Sequence, residues 1–277
     1  MDRPLKVLRV GAVMYDPKVS VIWEIIGDFF ESQSCPIDVV FFSTYELQVT
    51  ALVDRTIDIA WNSPLAWVDA VRRTGGKCRA IAMRDTDRDR VTHILVHRDG
   101  AIKSLADMAG KTLASGAKDS PQATLLPLHL FQRNGLTVGR NFNLRRFDVL
   151  VGKHGDHVGG ELEALHCLER GEAQACATLD LNWERWRTDG TANAAKLAIL
   201  QSTEPFDHCN FTVLDRFPRD REDHWTRVLF EMDYNNPAHR EMMDMEGLKA
   251  WLPGRTSGYA ALSKAVVEQK FFEQEAP

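Results

Sequence analysis

Apolar and polar residues alternate over positions 5–12, with enough β-branched side chains to predict a strand. Val19, Ile22, Ile26, Phe29 and Phe30 then recur at three- and four-residue spacing, which predicts an amphipathic helix lying on a sheet. Residues 37–42 read as a second strand, 45–54 as a second helix, and 57–61 as a third strand that ends in Asn62-Ser63-Pro64. A β-α-β-α-β series of this kind normally builds a mainly parallel sheet with helices on both faces.

A similar series restarts after the charged stretch 84–90. Residues 93–97 are strand-like, 104–108 form a short helix, and 111–114 form a strand leading into Gly116. Ser120 is placed to cap a helix whose first residue is Pro121, where the missing N–H costs nothing, and Pro127 should distort its early turns. Strands at 143–149 and 173–179 flank a helix at 161–170. Residues 198–201 and 209–213 read as further strands, and 223–233, 239–245 and 266–272 as helices. The tail has too few strands for a third domain, so a return to the first lobe is the economical arrangement. This predicts one lobe from residues 1–92 with 204–277 and another from 93–203.

Composition adds bounds. A chain of 277 residues, 44% hydrophobic and 26% charged, is long enough for two cores and is ordinary globular material. The formal net charge of -5 gives no reason to expect a nucleic-acid partner, and no apolar run approaches the roughly 20 residues of a membrane span. The first residues, MDRPLKVLRVGAVMYD, read as no secretory signal, so the expected location is cytoplasmic, or periplasmic if the chain is the mature form of an exported one. Five widely spaced cysteines without a CxxC pair predict no disulfide framework.

In parallel sheets the loops at the carboxyl ends of the strands face the ligand. Here these loops are 13–17, 61–65, 115–121, 152–160 and 178–182, all polar or glycine-bearing. Ser115, Gly116, Ser120 and the helix start at Pro121 suit an anion, although local physics alone favours an ordinary Ser-capped helix with a solvated loop. Asn62 and Ser63 are candidate hydrogen-bonding groups or a strand-to-helix turn, and Tyr15 and Trp61 are candidate stacking surfaces or core. His154, Asp156 and His157 lie in a GKHGDHVGG loop that serves a lid, a proton transfer or a metal. No cofactor motif is present. The one metal reading is a divalent ion held by His154 and His157 with a remote Asp, His or Cys. A Ser120–His154–Asp180 triad lacks the GxSxG context of a hydrolase.

The segments RVGAVMYD, IDIAWNSP, GKTLASGAKDSPQATLLPLHLF, GKHGDHVGGELEALHCLERGEAQACATLD and KAWLPGRTSGYAAL, in this order, resemble the PhnD-like phosphate, phosphite and phosphonate substrate-binding proteins of ABC transporters. The resemblance implies an α/β, two-lobed type 2 periplasmic-binding-protein fold with a ligand cleft between lobes. It implies a small anionic or polar organic ligand and an ABC permease as partner. The residues it places at the ligand are Tyr15, Asn62, Ser63, Ser115, Asp119, Ser120, Gln122, His157 and Asp180; Trp61, as a stacking surface, and Cys209, where the sequence departs from the family, complete the ligand-binding candidates. Enzymes share this fold, which opens a second reading: decarboxylation or ring hydrolysis of a small aromatic or heterocyclic acid, with His154, Asp156, His157 and Asp180 as acid/base groups. A third is a metabolite-responsive regulatory or carrier protein.

Overall fold

Two sheets organise the chain, and the computed structural model that carries them describes residues 7–155 and 159–274. They belong to two units, residues 1–88 with 207–257 and residues 89–206 with 258–277.

The first unit contains β1 (Leu8–Val13), α1 (Lys18–Ser32), β2 (Ile37–Phe42), α2 (Tyr45–Val53), β3 (Ile59–Asn62), α3 (Pro64–Thr74) and β4 (Cys78–Arg84). Strand β1 pairs in parallel with β2 and β3, as the β-α-β-α-β order predicts. Helix α3 starts where Ser63 Oγ accepts from Ala66 N (3.1 Å) with Pro64 at the first position, and stops at the left-handed Gly75.

The second unit contains β5 (Thr92–His97), β6 (Thr112–Ser115), α4 (Leu126–Arg133), β7 (Asn143–Arg146), α5 (Glu161–Glu169), β8 (Ala175–Leu179), α6 (Asp180–Asp189) and β9 (Leu197–Ser202). Its five strands run in the order β7-β6-β8-β5-β9. Strands β5 and β8, expected in one lobe, are direct neighbours.

The chain then supplies β10 (Asn210–Leu214), α7 (Arg219–Phe230), α8 (Pro237–Glu246) and β11 (Trp251–Pro253) to the first unit, and α9 (Ala260–Glu268) and α10 (Phe271–Gln274) to the second. The first sheet is ordered β11-β4-β10-β3-β1-β2.

Both sheets are mixed, which corrects the expectation of mainly parallel pairing. In the first, β10 enters antiparallel between β3 and β4; in the second, β5 runs antiparallel to both β8 and β9. The tail also divides differently from the single return expected for 204–277. Helix α9 buries Ala261, Leu262, Ala265 and Val266 within the second unit, where Gln269 Nε2 donates to Leu125 O (2.8 Å) and Glu268 pairs with His129 (2.7 Å). The helix expected over 266–272 is interrupted by Lys270, whose φ is 51°.

The distortion expected near Pro127 is a wide turn, Pro121–Leu125, in which Leu125 N donates five residues back to Ser120 O (3.0 Å). Widening the helix ahead of Pro127 relieves the clash of its ring with the preceding turn. The freed carbonyl of Gln122 accepts from Thr92 Oγ1 (2.8 Å).

The core of the first unit is aromatic. Trp225 of α7 is fully buried, stacked on Phe30 of α1 at 5.3 Å between centroids and edge-on to Phe211 of β10 at 4.8 Å. Replacing Trp225 with Ala should therefore lower the unfolding free energy by about 3–5 kcal/mol. Urea denaturation followed by circular dichroism checks this, and a loss below about 1 kcal/mol would mean that the returning segment does not depend on this ring.

Candidate functional site

At the end of β6 the backbone approaches its neighbours so closely that only glycine fits. A Cβ on Gly116 would lie 2.5 Å from Gly159 O and 2.7 Å from Ala123 Cβ, and one on Gly155 would collide with Ser120 Oγ. This packing gathers Ser115, Asp119, Ser120 and Gln122, all buried, against the loop 152–155. Ser120 Oγ accepts from Ala123 N (3.1 Å) as the cap, and Ser115 Oγ meets Thr124 Oγ1 at 3.3 Å. Gln122 Nε2 donates to Gly155 O (2.9 Å) while its Oε1 is buried without a protein partner. Asp119 Oδ2 accepts from Gly152 N (2.6 Å). Burial pushes the Asp119 carboxyl up, offset in part by the N–H groups of Gly152, Asp119 itself and His154.

His154 is half-buried in a left-handed conformation, with φ 55°. Asp156 and His157 lie outside the described residues. Asp180 opens α6 directly after β8 and pairs with Arg90 at 3.5 Å. Ser120 is thus engaged as a helix cap and Asp180 by a guanidinium, neither of which is a triad geometry.

Glu161, absent from the sequence-level candidates, is a carboxyl buried beside this loop. It is fully buried at the first position of α5, where Oε2 accepts from Leu179 N (2.8 Å) and Asn182 Nδ2 (3.1 Å), while Oε1 has no protein partner. Burial raises its pKa from 4.5 to about 7 against the pull of those two donors, and Asp180 adds to the rise. The only sequence signal was a Glu following Gly159-Gly160 at a helix start.

In the first unit, the carboxyl end of β3 carries the expected Trp61, Asn62 and Ser63. Asn62 is committed on both sides: Oδ1 accepts from Gln48 Nε2 (2.9 Å) and Nδ2 donates to Thr212 Oγ1 (2.9 Å), which donates to Asn210 Oδ1 (2.7 Å). Trp61 is core, 4.5 Å from the Phe211 ring and edge-on to Trp251 at 5.7 Å, with Arg84 5.3 Å above it. Tyr15, partly buried, packs against the same core.

Cys209, one residue before β10, joins Arg84, Asp87 and His208. One carboxylate oxygen of Asp87, one ring nitrogen of His208 and Cys209 Sγ lie within 4.8 Å of one another, a grouping able in principle to coordinate a metal ion. Asp87 already receives Arg84 Nη2 on Oδ1 (2.7 Å) and Arg84 Nε on Oδ2 (2.9 Å), so a guanidinium fills the cationic role. Burial pushes Asp87 upward, and Arg84 with His208 more than offsets it, leaving the carboxyl at about 2.

The raised Glu161 has a sign that can be measured. A folded pKa of about 7 against an unfolded value of 4.5 means that its contribution is fully present below pH 4.5 and is lost as pH rises through 7. The loss is on the order of 3 kcal/mol at alkaline pH. Denaturation midpoints of the wild type should fall across this window more than those of Glu161→Gln; equal slopes would show that Glu161 is ionised throughout.

Residues 14–259 match the family model described as ABC transporter, phosphonate, periplasmic substrate-binding protein. A probable ABC transporter phosphite binding protein, PhnD1 of Prochlorococcus marinus, is 21% identical over 268 residues, 92% of this chain and 86% of that protein. The structure of PhnD1 with methylphosphonate superposes with a TM-score of 0.70 at 17% identity, covering 96% of this chain and 98% of that one. XAC2383 of Xanthomonas citri, bound to ATP, gives 0.72 at 18% identity over 98% and 99% of the chains. An uncharacterized protein of Haemophilus influenzae is 64% identical over 33 residues, 12% of this chain and 46% of that protein, so less than half of that relative is matched. The structural likenesses establish the two-lobed α/β type II periplasmic-binding architecture. The family description also overturns the cytoplasmic location expected from the N-terminal residues. Both compartments are aqueous, so the surface of the folded chain carries no record of which one it occupies. By the match over residues 14–259, the chain belongs to the phosphonate-type periplasmic substrate-binding proteins of ABC transporters.

Proposed function

We propose that this protein binds a small phosphorus or sulfur oxyanion, of the phosphonate, phosphite, phosphate or sulfonate class, and delivers it unchanged to an ABC permease. The observation that carries the reading is the buried hydroxyl and amide cradle of Ser115, Ser120, Gln122 and Thr124 at the capped helix start after β6. Hydroxyls that accept from the backbone retain an O–H to donate, and a helix start favours negative charge. The nearby carboxylates fit the same picture. A raised Asp119 and a Glu161 near neutrality are less opposed to an anion than ionised groups would be, and Arg90 offsets Asp180. The membership of a binding-protein family supports recognition without turnover.

Isothermal titration with methylphosphonate, phosphate, phosphite and methanesulfonate tests the reading; no heat with any of the four would end it. Ser120→Ala should weaken binding by about 1–3 kcal/mol, roughly five- to 150-fold, through loss of a charge-assisted hydrogen bond. Thermal denaturation of the same variant separates this from the lost cap, which costs about 0.5–2 kcal/mol of stability on its own. An unchanged affinity would remove Ser120 from the anion shell. Methanesulfonate, whose charge is constant over neutral pH, should bind more tightly at pH 6 than at pH 8 as Glu161 takes up its proton. Equal affinity at the two pH values would place Glu161 away from the ligand. Mass spectrometry of the ligand after prolonged incubation should return it unaltered.

A further inference from the structure

The second unit carries a half-open groove of about 660 Å³, and every residue that lines it belongs to this unit. The edge strand β7 contributes Leu144 and Arg146, which share a face because side chains alternate along a strand. Helix α4 and the turn ahead of it add Leu125, Leu128 and Gln132, and the tail adds Gln269 and Phe271. Thr124, whose hydroxyl meets Ser115 Oγ in the anion cradle, also lines this groove, so the Pro121–Leu125 turn stands between the two.

The lining is graded along β7. Arg146 pairs with Ser115 at the carboxyl end of β6, and Lys118 lines the same end. The Lys118 N–H donates to Asp148 Oδ1 (2.7 Å), which fixes it beside the end of β7. At the other end stand Leu136 and Val138, and Val138 bridges to Phe142 just before the strand. At the rise of a strand, the run from Phe142 to Arg146 covers about 13 Å. Two cations thus mark one end and aliphatic side chains the other. Among the described lining residues the one carboxylate is Glu268, which His129 already holds at 2.7 Å. Asp148, 3.5 Å from Arg146, is 40% exposed, so water screens much of that pair.

We propose that this groove is a second ligand site, which takes a straight-chain anionic amphiphile such as decanoate, with the headgroup at Lys118 and Arg146 and the chain running toward Leu136 and Val138. Sites for small ligands have this volume and this make-up, an apolar lining in which a few polar groups fix the orientation. An inorganic oxyanion would meet the two cations and leave the apolar lining in water, and a neutral hydrocarbon would do the reverse. An amphiphile satisfies both, and the aliphatic stems of Lys118 and Arg146 can pack on its first methylenes while their charges face the headgroup. Val138, 38% exposed, is the apolar surface that the chain end would cover.

Isothermal titration of the intact protein with hexanoate, octanoate and decanoate tests the assignment. Affinity should rise by about two- to fourfold for each added methylene as it leaves water. Decyltrimethylammonium, with the same chain and the opposite charge, should bind at least about tenfold more weakly than decanoate. With decanoate bound, amide hydrogen exchange should slow over residues 125–144 and 268–271 rather than over 115–122. Val138→Glu, which sets a carboxylate in the path of the chain, should weaken decanoate by about tenfold or more, and Arg146→Glu by about fivefold or more. Both side chains reach the surface, so these variants should unfold within a few degrees of the wild type. Should either fold poorly, the chain-length series, the headgroup comparison and the exchange pattern decide alone. An affinity that does not change with chain length, decyltrimethylammonium binding as tightly as decanoate, or protection confined to 115–122 overturns the proposal. No phosphonate enters these measurements, so their failure is distinct from a failed methylphosphonate titration.

Discussion

Asn62 and Asn210 face each other where β3 and β10 pair, and the antiparallel insertion of β10 between β3 and β4 is what the first unit is built around. Without it, β4 and β11 have no place in the sheet. The buried chain Gln48–Asn62–Thr212–Asn210 fixes the register: each member donates or accepts at 2.7–2.9 Å, and a slip would leave several polar atoms buried and unpaired. The same insertion carries Phe211 to the centre of the aromatic core, against Trp23, Trp61, Trp225 and Trp251. It also fixes Cys209 and His208 beside Asp87.

Much of this was legible because local physics and tertiary context agree. The helical spacing of Val19, Ile22, Ile26 and Phe30 is the buried face of α1, and Ser120-Pro121 is a true capped start. What escaped has identifiable causes. Helix α6, DLNWERWRTD, buries only Trp183 and Trp186, so its apolar stripe is too narrow to show a period. Strand β4 is bounded by Arg79 and Arg84, which pair with acidic groups from distant segments and so pass for solvent-facing charge. The antiparallel sense of β10 leaves no trace in its own five residues, because strand direction is a property of the partner.

Within the candidate site the division is similar. Capping and close approach are local, and the residues at 115–122 could be read from Ser, Gly and Pro chemistry. The buried charges could not. Glu161 owes its character to the surrounding atoms that bury it, and Arg84 with Asp87 looks in sequence like part of an exposed run, RDTDRDR, whereas Asp87 is 1% exposed. Trp61 and Asn62 stand where the strand-end rule expects them, yet both are occupied by protein partners.

The β3–β10 pairing has a consequence for the life of the chain before it is folded. Asn62 and Thr212 are 150 residues apart, so β3 leaves the ribosome with one apolar edge that has no partner until most of the protein has followed. Closing a loop of that length must precede any reward from the pairing, which makes the first unit a late and slow folder. During that interval Ile59, Ala60 and Trp61 present an open strand edge of the kind that recruits chaperones or neighbouring chains, so late pairing and aggregation hazard share one structural origin.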